Sequence, residues 1–247
     1  MDLGHATYWG VLGLTFLGPF FLGFHQSLSF NKRWKDILTA VALILLIYIP
    51  WDIWFTSMGV WSFNPNYVSG AYFFNIPIEE VLFFIATPFS CLFVLECVRY
   101  YFPSLSYDHG KKQRHAISLF IMSFFVLIAL ALIARNPSGW YTLSATITGG
   151  IGLLYLYVNR KNDFLQILIT WLILLIPFYV CNGVLTGIHF WDYPFFNDNQ
   201  IAMDEAVVLY NNLENSSFRI WSVPAEDFFY GFGFYAIGVT LYRRKEK

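Results

Sequence analysis

The sequence predicts an all-α polytopic membrane protein with seven transmembrane helices, built as two parallel three-helix repeats joined by a linking helix. Three observations predict this fold. Apolar segments of about 20 residues, the length that crosses a bilayer core, recur along the chain. Charged residues make up 13% of the 247 residues, and this is roughly half of their share in a soluble domain. The second and third apolar segments also resemble the sixth and seventh.

The seven predicted spans follow one another along the chain and are separated by polar breaks. They lie at 7–28, 37–58, 73–98, 116–134, 141–158, 164–185 and 221–242. The fifth span is the shortest, but charged and polar residues before and after it mark its ends. Each span is therefore expected to form one membrane-crossing helix.

Basic residues predict how the spans are oriented. Loops on the cytoplasmic side of a membrane carry an excess of Lys and Arg. Of the 15 basic residues, 13 follow spans one, three, five or seven, and only Arg135 and Arg219 fall on the other side. The pattern predicts an N-terminus outside the membrane and a C-terminus inside.

Composition also narrows the classes of partner. The net charge of −1 provides no basic surface that would bind nucleic acid. Cys91, Cys97 and Cys181 lie within apolar segments and lack metal-ligand spacing, so we expect them to pack in the core. Membrane lipid is the expected surrounding, and the sequence does not specify an oligomeric state.

An internal duplication is visible in the two halves of the chain. Leu-Ile-Leu-Leu-Ile occurs at 43–47 and again at 172–176, and a proline and then a polar residue follow each copy. These residues are Pro50 with Asp52 and Pro177 with Asn182. Three spans, one linking span and three more give two repeats of the same orientation. The predicted units are a first repeat at 1–115, a linking helix at 116–140 and a second repeat at 141–247.

Each predicted repeat carries two adjacent acidic residues at the start of its last span. The two motifs are Pro77-Ile-Glu79-Glu80 and Pro224-Ala-Glu226-Asp227. A proline followed by an acidic residue is typical of a helix N-terminus, which is the plainer explanation of either motif. A cap needs only one carboxylate, however, and ionisable groups inside membrane segments are costly and often functional. Parallel repeats place both pairs at the same side of the membrane, where they can face each other.

Paired carboxylates in poorly solvated surroundings suit general acid–base chemistry on an uncharged substrate, because one can carry a proton while the other is an anion. The sequence does not distinguish the acid from the base. Asp52 and Asn182 are expected either to hydrogen-bond the carboxylates of the next span or to satisfy backbone groups freed by the nearby prolines.

Aromatic residues flank the acidic motifs closely. Their ring faces could stabilise a carbocation, although core packing and the interfacial belt are the commoner roles. The residues concerned are Trp51, Trp54, Trp61, Phe74, Phe83, Phe84, Trp221, Phe228, Phe229 and Tyr230.

These motifs and their flanks resemble those of the membrane-integral carotenoid lycopene cyclases. The resemblance covers nearly the whole chain and is strongest at 51–52, 59–65, 74–84, Asn182 and 223–230. The chain is similar to the fused form of the two-subunit bacterial enzymes, which also occurs in archaea and as the N-terminal part of a bifunctional fungal enzyme. The resemblance implies an integral protein of a bacterial or archaeal cytoplasmic membrane.

The resemblance also implies a reaction, a redox-neutral isomerisation of lycopene that needs no cofactor or metal. An acid protonates the terminal double bond of a linear ψ end group, the next double bond closes a six-membered ring, and a base removes a proton. Loss of the proton from the ring carbon next to the chain gives a β-ionone ring, and hence γ-carotene or β-carotene. By the resemblance the acid and base come from Glu79, Glu80, Glu226 and Asp227. The expected supporting residues are Asp52, Asn182, Trp51, Trp61, Phe83, Phe84, Phe228, Phe229 and Tyr230.

Alternatives remain open at this level. A cyclase of C50 carotenoids and a former of ε or γ rings would carry the same motifs. A proton-coupled transporter is the alternative from another class, since buried carboxylates also serve as proton relays. Its usual inverted repeats are missing. A retinal-binding photoreceptor is disfavoured because all seven lysines lie outside the predicted spans.

Overall fold

The computed structural model describes residues 3–106, 111–198 and 206–244. Seven α-helices lie in these residues: α1 (Leu3–Leu22), α2 (Trp34–Ser57), α3 (Ile78–Tyr101), α4 (Lys111–Arg135), α5 (Trp140–Asn159), α6 (Phe164–Thr186) and α7 (Glu226–Tyr242). Five of them, α2 to α6, are long and apolar enough to cross a membrane. The predicted mostly helical membrane fold is confirmed, whereas seven crossings and two repeats stay predictions. Lys245, Lys247 and the part of the predicted outer loop at 199–205 lie outside the described residues.

The first helix is shorter than predicted. The helix α1 ends at Leu22 rather than at residue 28, because Gly23 and the polar residues after it form turns instead. The N–H of Phe24, for example, donates to the carbonyl of Phe21 at 3.3 Å. A glycine followed by polar side chains is a common way to end a helix.

Short strands occupy loops where the sequence predicted helix or irregular chain. Among the described residues they are β1 (Trp61–Phe63), β2 (Tyr72–Phe73), β3 (Ile76–Pro77), β4 (Phe196–Asn197), β5 (Val208–Tyr210), β6 (Arg219–Ile220) and β7 (Val223–Pro224). The strand β1 pairs with β5, which joins the two halves of the chain, and β4 pairs with β6. Antiparallel pairing of β2 with β3 and of β6 with β7 forms two hairpins.

The two hairpins correct the predicted starts of spans three and seven. Pro77 and Pro224 each end a strand, and α3 and α7 begin one or two residues later rather than at 73 and 221. Proline restricts the residue before it to extended conformations, which suits the end of a strand. The prolines therefore precede the helices and are not their first helical residues.

The same backbone pattern occurs in both hairpins. Phe74 (φ 55°) and Trp221 (φ 54°) lie in the left-handed region at the two tips. The side chain of the next residue docks the hairpin on the preceding helix in each case. The Nδ2 group of Asn75 donates to a carbonyl of α2 at 2.9 Å, and Ser222 Oγ donates to a carbonyl of α6 at 3.1 Å. We call the end of the bundle that carries these two hairpins the hairpin end.

The helix α7 packs along α5 and α2 and also contacts α3, so it lies at the centre of the bundle. Glycines in α5 permit the closest of these approaches. A Cβ atom added at Gly149 would lie 2.9 Å from the carbonyl oxygen of Phe229, and one at Gly152 would lie 2.9 Å from the Cβ of Ala236. Aromatic side chains fill the surrounding core.

Ion pairs hold the opposite end of the bundle together. The buried Arg243, which follows α7, pairs with Asp163 at 2.5 Å and donates to Gln166 Oε1 at 3.0 Å. Glu96 in α3 pairs with Arg33 at 3.4 Å. Buried charges destabilise the fold unless they are paired. These ion pairs therefore hold together the chain segments that carry the paired residues.

The close approach of α5 and α7 gives a test of the fold. Replacing Gly149 by Ala should lower the thermal unfolding midpoint, because the new methyl group meets the backbone of α7 at a cost of about 1–3 kcal/mol. Gly150→Ala is the matched control, since nothing lies within 4 Å of its added Cβ. Helix propensity favours both substitutions equally. Thermal unfolding in detergent measures the effect, and equal midpoints for the two variants would contradict this packing.

Candidate active site

The first carboxylate of each acidic pair holds the loop that leads into its hairpin. Glu79 and Glu226 are fully buried. The backbone N–H of Ser69 donates to Glu79 Oε1 at 2.7 Å, and that of Ser216 donates to Glu226 Oε1 at 2.6 Å. In both cases the donor lies 10 residues before the carboxylate. The two side chains thus make the same local contact in the two halves of the chain.

Glu226 has one further partner, and each side chain keeps one oxygen without a hydrogen bond. The hydroxyl of Thr142 in α5 donates to Glu226 Oε1 at 2.7 Å. The Oε2 atoms of Glu79 and Glu226 are buried and have no hydrogen-bond partner among the described residues. Both carboxylates also lie in the first turn of a helix, where the helix dipole favours negative charge.

The second carboxylate of each pair faces a cavity that the two halves share. Glu80 and Asp227 line this cavity together with Asp52 of α2, and its volume is about 50 Å³. Neither Glu79 nor Glu226 lines it. We call it the acid cavity. The structure therefore divides the four predicted catalytic carboxylates into two that face the cavity and two that face loops.

A tyrosine from another helix donates to each of the two cavity carboxylates. The hydroxyl of Tyr8 in α1 donates to Glu80 Oε2, and that of Tyr141 in α5 donates to Asp227 Oδ1. Sequence reasoning missed both tyrosines. The one sequence signal was their position, because each lies near the start of the first helix of a predicted repeat.

Asp227 receives two more hydrogen bonds. Its Oδ2 atom accepts from the hydroxyl of Tyr210 at 3.2 Å and from Nδ2 of Asn182 at 3.3 Å. Burial raises the pKa of Tyr210 well above its usual value, and the negative charges of Asp227 and Glu80 raise it further. Tyr210 consequently keeps its proton and stays a donor. The contact from Asn182 is one of the two roles expected for that residue, whereas Tyr210 was not predicted.

Asp52 makes different contacts from those considered for it. It is buried, and its Oδ1 atom accepts from Nε1 of Trp61 at 2.6 Å and from the hydroxyl of Thr56 at 3.5 Å. It makes no hydrogen bond to Glu79 or Glu80 among the described residues. Its Oδ2 atom is buried without a partner. Asp52 is thus a third carboxylate of the acid cavity, oriented by Trp61.

The predicted aromatic residues fall into two groups. Around Tyr230 the ring centroids of Trp51 and Trp61 lie at 5.3 Å and 6.1 Å. Trp61, Phe83 and Tyr230 line the acid cavity, and Phe84 packs behind Tyr230 with its ring centroid 6.3 Å away.

The other group lies away from the acid cavity. Phe228 and Phe229 pack against Phe125 of α4, with ring centroids 4.8 Å and 4.7 Å away, and do not line the cavity. Trp54 and Phe74 are exposed. None of these four side chains is therefore placed to reach a molecule in the acid cavity.

An apolar cavity borders the acid cavity inside the bundle. Its volume is about 240 Å³, and it is lined by residues of α1, α3, α6 and α7. Four side chains line both cavities: Phe83, Phe178, Asn182 and Phe234. The carboxylates of the acid cavity thus lie next to a space with apolar walls.

This arrangement suits proton transfer to and from an apolar molecule. It offers carboxylates as proton donor and acceptor, tyrosine hydroxyls that orient them, and ring faces that can stabilise a cation. Among the described residues no group of three or more His, Cys, Asp and Glu side chains could hold a metal ion.

Comparisons with known proteins point to one family. The model of the lycopene cyclase family matches residues 5–98 and 137–244. A bifunctional lycopene cyclase/phytoene synthase of Aspergillus oryzae is 42% identical over 52 residues, which cover 21% of this chain and 9% of that protein. A protein of the same name from Arthroderma gypseum is 27% identical over 137 residues, which cover 55% of this chain and 21% of that protein. The matches thus span less than a quarter of each relative. No solved structure matches the chain.

The hydrogen bond to Glu226 gives a test of this geometry. Replacing Thr142 by Val removes the hydroxyl but keeps the shape, so a buried carboxylate loses a donor at a cost of about 1–3 kcal/mol. Thr148→Val is the matched control on the same helix, because the Thr148 hydroxyl donates only to the carbonyl of Ser144 within α5. We expect a lower unfolding midpoint for Thr142→Val alone. A midpoint like that of the control would rule out a buried bond between Thr142 and Glu226.

Proposed function

We propose that this chain, which belongs to the lycopene cyclase family, closes linear ψ end groups of lycopene into β-ionone rings by redox-neutral acid–base chemistry. One observation carries the proposal: Glu80 and Asp227, one from each acidic pair, face one cavity that borders an apolar cavity. The names of the fungal relatives support the activity. The β ring, the isomerase class and the C40 substrate are part of the proposal.

The hydrogen bonds favour Glu80 as the acid. Tyr8 is the one described residue that donates a hydrogen bond to Glu80, so oxygen sites remain free to carry a proton. Asp227 accepts from Tyr141, Tyr210 and Asn182. Three donors suit a carboxylate in its ionised form, which only accepts hydrogen bonds. Asp227 is therefore the proposed base.

The reaction then needs no outside reagent. Glu80 gives its proton to the terminal double bond of the end group, which leaves a tertiary cation. The next double bond attacks this cation and closes the ring, and the positive charge moves to a ring carbon. Asp227 removes the proton from the ring carbon next to the chain, and a β-ionone ring results. The faces of Trp61 and Tyr230, which line the cavity, stabilise the positive charge on the way.

Glu79 and Glu226 act in this proposal as positioning residues. Each holds a loop N–H and lies directly before a cavity carboxylate. They fix where the first turns of α3 and α7 begin. They thereby also fix the positions of Glu80 and Asp227 along the axes of these helices. The sequence predicted that all four carboxylates supply the acid and base, whereas this proposal assigns proton transfer to Glu80 and Asp227 alone.

We also propose the finer architecture that the sequence predicts: seven crossings, with repeats at 1–115 and 141–247 around a linking helix at 116–140. The equivalent hairpins and the equivalent bonds of Glu79 and Glu226 support the repeats. The N-terminus would lie outside the membrane, with carotenoid and lipid as partners. Both curated relatives are fungal, so a bacterial or archaeal membrane rests on the sequence resemblance alone.

Substitution of single carboxylates tests the proposal. Glu80→Gln and Asp227→Asn should each lower the cyclisation rate by about 100-fold or more, because general acid or base catalysis contributes that much. Glu79→Gln and Glu226→Gln should lower it less and should lower the unfolding midpoint instead. The measurement is the rate of lycopene loss in liposomes, normalised to folded protein.

The control for these variants is Asp198→Asn. Asp198 is an exposed carboxylate at the hairpin end that pairs with Arg135 at 2.9 Å, so its removal should leave the rate unchanged. Full conversion of lycopene by Glu80→Gln or Asp227→Asn would refute the assigned proton transfers.

A further inference from the structure

We propose that Arg219 decides which acidic pair supplies the base, by holding Asp227 in its anionic form. Arg219 is a positioning residue in this inference, because it acts through Asp227 and Tyr210 and does not touch the substrate. The inference rests on the proposed function and deepens it. The observations that carry it are the burial of Arg219, its fixed contacts and its absence from the other half of the chain.

Arg219 in β6 is a charged residue whose side chain is buried. It is 3% exposed, and its guanidinium is held from two sides. Its Nη1 group donates to the carbonyl of Ser222 at 2.6 Å, and its Nη2 group donates to Asn212 Oδ1 at 2.8 Å. A buried guanidinium keeps its charge and destabilises the fold unless negative groups compensate it. Neither of these two partners is charged, so the compensating charge must lie elsewhere.

That compensating charge is Asp227. The Arg219 guanidinium carbon lies 5.9 Å from the ring centroid of Tyr210, and the Tyr210 hydroxyl donates to Asp227 Oδ2 at 3.2 Å. Burial lowers the pKa of Arg219, while the negative charge of Asp227 opposes this more than that of Glu226 does. The guanidinium therefore stays a cation next to Tyr210, and its charge acts on Asp227 in addition to the hydrogen bonds from Tyr141 and Tyr210.

The hairpin of the first half of the chain has no arginine at the position equivalent to Arg219. Tyr72 occupies the equivalent place in its hairpin, because Tyr72 pairs with Pro77 as Arg219 pairs with Pro224. Tyr72 is uncharged and 48% exposed. In the part of the chain that the structure describes, the charges that act most strongly on Glu80 are those of Asp52, Asp227 and Glu79, and all three are negative. The two cavity carboxylates thus differ in their hydrogen-bond donors and also in charge, because a buried cation lies near Asp227.

This difference assigns opposite roles to the two carboxylates. A nearby cation favours the ionised form of a carboxyl group, so Asp227 is kept ready to take a proton. Glu80 has no such cation and keeps a proton to give. The substrate gains one proton from Glu80 and loses one to Asp227, so its formula is unchanged. Before the next turnover Asp227 must lose this proton and Glu80 must regain one.

A pH–rate profile of the purified protein in lycopene-loaded liposomes tests this inference. Arg219→Gln should move the acid-side fall in rate to higher pH, because loss of a nearby positive charge makes Asp227 easier to protonate. Arg219→Lys keeps a positive charge and should restore most of the profile. Arg135→Gln is the control, since Arg135 is half-exposed and pairs with Asp198 at the same end. A structural role alone would lower the rate equally at every pH.

A second variant tests the same inference if Arg219→Gln does not fold. Asn212→Ala removes one of the two groups that fix the guanidinium, and it should give a smaller shift in the same direction. Folded Arg219→Gln or Asn212→Ala protein with an unshifted profile would overturn the inference.

An infrared titration without substrate separates this inference from the proposed function. The carbonyl band of protonated Asp227, identified by its loss in Asp227→Asn, should appear at higher pH in Arg219→Gln than in the unaltered protein. A shifted band in a protein that leaves lycopene unchanged would refute the cyclase function and support the charge role of Arg219. An unshifted band would overturn the charge role, whatever the activity.

Discussion

The structure depends on the burial of carboxylates at the first turns of two helices that meet at one end of the bundle. A buried carboxylate destabilises a protein by several kcal/mol unless donors surround it. The chain supplies these donors from distant places: the backbone of Ser69 and Ser216 in loops, and the hydroxyls of Tyr8 in α1 and Tyr141 in α5. Helices α1, α3, α5 and α7 therefore cannot shift independently at the hairpin end.

The hairpins determine where the two carboxylates of each acidic pair lie. Each hairpin docks on the preceding helix through one side chain and ends in a proline, and a single residue separates this proline from the acidic pair. The first carboxylate of the pair then holds the loop, and the second faces the acid cavity. Side chains at successive positions of a helix point about 100° apart, so the two adjacent carboxylates of a pair point in different directions. The same arrangement in both halves brings Glu80 and Asp227 to one cavity from opposite sides.

The mostly helical membrane fold could be predicted from the sequence, because apolar segments of sufficient length indicate membrane-crossing helices directly. The acidic motifs were visible as charges at the starts of apolar segments, and Asn182 could be connected with Asp227 through the duplication.

The hairpins were not predicted, because strands of two residues are too short to show an alternating pattern. Tyr8, Tyr141 and Tyr210 were missed for another reason. Aromatic residues make up 21% of the chain, so single tyrosines do not stand out, and their partners lie far away in sequence. Which carboxylate of each pair faces the cavity depends on helix packing, which no local pattern reveals.

The central claim is that two carboxylates from different halves of the chain close a carotenoid ring without any other reagent. Its most direct test is expression of this chain in cells that accumulate lycopene, followed by identification of the pigments by absorption spectrum and mass. We expect pigments of unchanged mass that carry β-ionone rings, namely γ-carotene, β-carotene or both. Lycopene that remains linear in cells that contain the folded protein would contradict the account.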